Sequence, residues 1–153
     1  MRGDGCAIAG DELGPVIEAF RRGPLHALVG RVMGEALPAR LFTRAWRLAA
    51  GDHIATHKDG LHYVTTFSLG LCDGWSASHG GAIAFGRPVA KGLEIVERWL
   101  PHRGDLLLFR PSARAWHAVE AVARGTRFTV TGQYVAEAYP GALPVDRSRR
   151  GDG

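Results

Sequence analysis

At Pro38 the hydrophobic period of the chain changes, and the change sets the order of its secondary structure. Before it, Leu13, Val16, Ile17 and Phe20 recur at spacings of three and four, as do Leu25, Leu28, Val29 and Val32. That is the period of helices buried on one side. Gly23-Pro24 divides residues 11–37 into two helices, Pro24 lending its fixed φ to the start of the second and Pro38 expected to stop it. From Leu41 onward the texture changes to short runs separated by Gly, Pro, Asp and Ser clusters. Eight short runs rich in β-branched and aromatic residues follow: Phe42 to Leu48, Ile54 to His57, Tyr63 to Leu71, Ala82 to Phe85, Leu93 to Trp99, Asp105 to Phe109, Ala115 to Glu120 and Thr126 to Ala136. Gly51-Asp52, Gly60, Asp73-Gly74, Gly80-Gly81, Arg103-Gly104 and Arg124-Gly125 punctuate them as turns. Two helices followed by eight short strands predict a mainly β jelly roll, its helices covering the outer face of one sheet.

At 153 residues the chain has room for one domain, read here as 1–139 with its β core at 41–136, followed by a polar tail at 140–153. Its 46% hydrophobic and 22% charged residues exclude a disordered chain, and no apolar run is long enough for a membrane span. The polar start Met1-Arg2-Gly3-Asp4-Gly5 carries no secretory h-region, and Cys6 and Cys72 stand in no disulfide or metal spacing, so a cytoplasmic location is expected. The net charge of +4 comes almost entirely from scattered arginines, Arg147, Arg149 and Arg150 among them in the tail. Scattered charge does not build a nucleic-acid face, so no nucleic-acid partner is expected.

Three groups can meet on one strand layer. His57 and Asp59 lie two apart where a strand runs into the Gly60 turn, so their side chains point to the same side. His117, after the apolar run Leu106 to Phe109, is the best third partner. Two imidazoles and one carboxylate form the facial set that non-haem Fe(II) sites use, leaving positions open for other ligands. Further on, Arg127, Thr129, Thr131 and Gln133 alternate with Phe128 and Val130. A buried guanidinium beside hydroxyls suits a carboxylate. Among the other candidates, His53, His62, His79 and His102 read as strand or loop histidines, Lys58 as exposed and pointing opposite to His57 and Asp59, Cys72 as a small core residue, and Trp75 as core or rim of the mouth.

His57-x-Asp59, His117 and Arg127, in that order, resemble the Fe(II)/2-oxoglutarate-dependent oxygenases, in particular the prolyl 4-hydroxylase-like branch. Supporting segments are Val64 to Phe67 with Leu69 and Leu71, Gly80-Gly81 through Phe85, and Arg103-Gly104 through Phe109. The likeness runs from about Trp46 to Tyr134. It implies a double-stranded β-helix, the cupin-like jelly roll. It also implies Fe(II) on His57, Asp59 and His117, 2-oxoglutarate with its distal carboxylate on Arg127 aided by Thr129 or Thr131, O2, and ascorbate as an optional reductant. The reaction implied is hydroxylation of an unactivated C–H bond in an amino acid, peptidyl residue or small metabolite, with succinate and CO2 as co-products.

The likeness has gaps. Leu48, Ile54 and Gly70 stand where prolyl hydroxylases commonly carry tyrosines, Gln133 where a tryptophan is common, and Tyr63 where an arginine is. Alternative readings are a non-catalytic cupin-like metal or ligand binder, a family member turned protein-binding scaffold, and a nucleic-acid dealkylase of the same superfamily. The last would want asparagine and arginine where Thr129 and Gln133 stand.

Overall fold

The computed structural model describes residues 10–141. Two helices, α1 (Gly10–Arg21) and α2 (Pro24–Met33), precede eight strands: β1 (Leu41–Ala49), β2 (Ile54–His57), β3 (Tyr63–Gly70), β4 (Ile83–Val89), β5 (Gly92–Trp99), β6 (Leu106–Phe109), β7 (Trp116–Val119) and β8 (Thr126–Val135). They form two antiparallel four-stranded sheets in the orders β1-β8-β3-β6 and β2-β7-β4-β5. Apart from the β4–β5 hairpin, each strand crosses to the opposite sheet, which is the winding of the expected jelly roll. No helix among the described residues is long and apolar enough to cross a membrane.

The helices cover the first sheet because their apolar stripes meet its outward-facing residues. Phe20 and Val29 join Leu41, Phe67, Val130 and Tyr134 in one buried cluster, and the rings of Phe20 and Phe67 stack at 4.0 Å. Gly132 allows this packing, since a Cβ there would run into the Phe67 ring. One expectation is corrected: Pro38 does not stop the second helix. It ends at Met33 because Gly34 takes a left-handed φ of 69°, which glycine adopts without steric cost, and its N–H caps the Arg31 carbonyl.

The strands fall within a residue or two of their expected ends, except that β4 runs on to Val89 through Pro88. Proline is tolerated there because β4 pairs with β7 only as far as Gly86, leaving Pro88 bonded on the β5 side alone. A second cluster, containing Leu48, Cys72, Trp75, Ile83, Val119 and Val122, fills the space between the sheets at one end. Cys72 is a core residue there, its sulfur accepting from the Phe128 N–H at 3.1 Å. Trp75 belongs to this core and not to the rim, with its indole N–H donated to the Gly80 carbonyl at 2.9 Å. Of the tail, only Pro140 and Gly141 lie within the described residues; Cys6, Arg147, Arg149 and Arg150 lie outside them.

Candidate metal centre and co-substrate pocket

The pairing of β2 with β7 sets Ile54 opposite Val119 and His57 opposite His117, three steps on one strand against two on the other. In a regular strand, residues three apart face opposite sides; the extra residue turns both Ile54 and His57 inward. Asp59 follows on the same side, just beyond the end of β2. One ligand atom each from His57, Asp59 and His117 lies within 4.8 Å of the others. This is the grouping expected from the sequence.

The surrounding contacts prepare these side chains for a cation. Each imidazole is tied by Nδ1 to the carbonyl two residues earlier, His57 to Ala55 at 2.8 Å and His117 to Ala115 at 3.0 Å. With Nδ1 donating to a carbonyl, the lone pair is left on Nε2. Asp59 Oδ2 accepts the Thr66 hydroxyl at 2.7 Å, while Oδ1 lies 4.0 Å from His117 Nε2. His117 is buried against Phe85 and Phe109, with ring centroids at 5.6 and 5.1 Å. Burial is the main cause that lowers its pKa below 6.5, and His57 pushes the same way against the Ala115 carbonyl and Asp59. A neutral imidazole is the form a metal ligand needs. The donor set therefore fits Fe(II).

The triad opens into a cavity of about 370 Å³ between the sheets. Thr131 and Gln133 of β8 line it, with Thr131 accepting the Trp46 indole N–H at 3.0 Å. Arg127 and Thr129 sit farther along the same strand and pair with each other, Arg127 Nη1 donating to Thr129 Oγ1 at 2.9 Å. They lie away from the cavity wall, where Gly81 passes so close to the Arg127 chain that a Cβ would press on it at 3.0 Å. Arg127 is 1% exposed and faces no carboxylate among the described residues. Burial pushes its pKa down from 12.5 to about 10. Its Nε and the Ser68 hydroxyl, which lines the cavity, are buried without partners among the described residues. A carboxylate is the group that such a site lacks.

The sequence reading missed Thr66, Ser68, Arg44 and Trp46. The signal was present: with Phe67 and Leu69 facing the helices, a period of two turns Thr66 and Ser68 toward the cavity, and the same alternation on β1 turns Arg44 and Trp46 inward. Tyr63 and Lys58 also line the cavity; Lys58 is exposed as expected, but it borders the same cavity as the triad and does not point wholly away from it. His53, His62, His79 and His102 take no part in the ligand group.

Several solved structures share this fold. A Pseudomonas putida prolyl-4-hydroxylase superposes with a TM-score of 0.58 at 23% identity, covering 87% of this chain and 68% of its own. A Trichoplax adhaerens prolyl hydroxylase, solved with a peptide fragment of the hypoxia inducible factor oxygen degradation domain, gives 0.63 at 19%, covering 87% and 60%. A Burkholderia pseudomallei oxidoreductase of the 2OG-Fe(II) oxygenase family gives 0.61 at 16%, covering 80% and 57%. The chain thus spans little more than half to two thirds of their length. No curated protein matches it by sequence. The family model of the 2OG-Fe(II) oxygenase superfamily matches residues 43–135, the stretch that carries the triad and Arg127. The chain belongs to this superfamily, whose chemistry takes Fe(II), 2-oxoglutarate and O2.

Proposed function

We propose that the chain is a 2-oxoglutarate-dependent Fe(II) dioxygenase that hydroxylates an unactivated C–H bond of an amino acid, a peptidyl residue or a small metabolite, releasing succinate and CO2. The observation that carries this reading is the pairing of a preset His57, Asp59 and His117 group with a buried Arg127 that faces no carboxylate among the described residues, in the same sheet sandwich. The triad would hold the iron, and Arg127 with Thr129 would hold the distal carboxylate of 2-oxoglutarate. Thr131 and Ser68 would offer hydroxyls along the wall between them. Bound there, iron supplies the oxidising power that O2 and the keto acid generate together.

The chain's own part is to place and to seal. Thr66 fixes Asp59, the carbonyls of Ala55 and Ala115 fix the imidazoles, and the core around Leu48, Ile83 and Val119 keeps water from the closed end. The prolyl hydroxylases among the structural neighbours support a peptide or small-molecule substrate. Ile54 and Gln133, both on the cavity wall, replace residues common in prolyl hydroxylases, so proline is not singled out.

Anaerobic titration with Fe(II) and 2-oxoglutarate tests the reading. The expected result is a visible charge-transfer band that His57→Ala abolishes, that needs far more 2-oxoglutarate in Arg127→Ala, and that gives succinate when O2 is admitted. Metal binding with no band and no succinate overturns it in favour of a metal-binding jelly roll.

A further inference from the structure

The outer part of the cavity carries positive charge that no carboxylate pairs with among the described residues. Arg44, half-buried in the middle of β1, lines the cavity with its guanidinium 5.5 Å from the Phe42 ring centroid and 5.0 Å from that of Trp46. Arg21, Arg22, Arg98, Arg103 and Arg110 each face a carboxylate. Arg44 faces none among the described residues, and its side chain makes no hydrogen bond there. Lys58 also lines the cavity, its ammonium resting 5.3 Å from the Trp116 ring, again with no carboxylate among the described residues. Among the described residues the one carboxylate on the cavity wall, Asp59, belongs to the triad and is engaged by Thr66.

A guanidinium laid against aromatic faces is held in place while its N–H edge stays open. That edge matches a carboxylate with two parallel hydrogen bonds, strengthened by the apolar surroundings. We propose that the substrate carries a carboxylate bound by Arg44, with Lys58 adding positive charge at the mouth. Its class is then a small organic acid, a free amino acid being the simplest, and not a residue inside a peptide chain. The inference rests on the oxygenase reading above, because Arg44 and the triad share one cavity.

The test uses the full chain, anaerobic and loaded with Fe(II) and 2-oxoglutarate, with its visible band as the readout. Free L-amino acids bearing apolar side chains are titrated beside their carboxamides. The expected result is that an acid perturbs the band and binds about tenfold or more tightly than its amide. Arg44→Gln should bring that preference close to one, and Arg44→Lys should restore part of it. The band itself shows that each variant keeps an assembled site. A band that no acid perturbs, amides that bind as well as acids, or an Arg44→Gln chain whose altered property is its 2-oxoglutarate requirement each overturns the proposal and leaves the oxygenase reading standing. A wild-type chain that gives no band overturns the oxygenase reading, and the proposal with it.

Discussion

One hydroxyl determines which oxygen of Asp59 is free. Thr66, 5% exposed on β3, donates to Oδ2 and leaves Oδ1 on the side of His117. A carboxylate without that bond can rotate away from the two imidazoles. Thr66→Val, close in shape, should therefore weaken Fe(II) binding by about 10- to 100-fold, read by anaerobic metal titration, while Thr66→Ser should retain most of the affinity. A Thr66→Val chain with undiminished affinity would show that backbone geometry alone orients Asp59. The ligands themselves were legible because His57 and Asp59 sit two apart on an extended run, a spacing that sequence displays. The inward face of Thr66 was legible from the period of two, but its link to Asp59 was not, because that depends on how β3 lies beside the loop after β2. The bulge between Ile54 and His57 was hidden for a similar reason: it exists only in the register between β2 and β7.

The elements were legible where a residue type sets a boundary by its own chemistry. Gly23-Pro24 separates the helices, and the glycine clusters separate the strands. Pro38 misled because Gly34, able to take a left-handed conformation, ends the helix first. Proline also has a distant consequence. Pro24 has no N–H to give the Phe20 carbonyl, and the hydroxyl of Tyr134 on β8 supplies the bond instead, at 2.6 Å. The end of α1 is thus tied to a central strand. Burial raises the Tyr134 pKa from 10.0 to about 12, so the neutral phenol contributes its full stability below pH 10 and loses it as pH rises toward 12. Tyr134→Phe leaves the carbonyl unpaired and should be less stable than wild type by about 1–3 kcal/mol at neutral pH. Above pH 10 the gap should close by about 1.4 kcal/mol per pH unit, because the unfolded wild type releases a proton that the folded chain retains. Urea unfolding of both proteins across that range measures it. A gap independent of pH would mean that the phenol ionises freely in the folded state.

At the scale of the whole molecule, the proposed role of Arg127 would set stability and ligand binding against each other. Two sheets close over one end of the sandwich with an apolar core, and at that end β8 places a guanidinium that is 1% exposed and faces no carboxylate among the described residues. Desolvating a cation without an anion works against folding, and the bond to Thr129 offsets only part of that cost. On the proposed reading a carboxylate from solution would complete the pair, so binding should act as a stabilising term for the whole fold. With Fe(II) present and 2-oxoglutarate at about 100 times its dissociation constant, linkage gives about 2.7 kcal/mol. Arg127→Met keeps an unbranched side chain beside Gly81 and removes the charge. The variant should be more stable than wild type without ligand, by about 1–4 kcal/mol, the range in which apolar residues stabilise when they replace buried ionic groups. It should also gain far less than wild type from the same 2-oxoglutarate concentration. Denaturation with and without the keto acid reads both effects in one experiment. If Arg127→Met is the less stable protein and wild type does not respond to 2-oxoglutarate, the guanidinium serves the core and is not a carboxylate site.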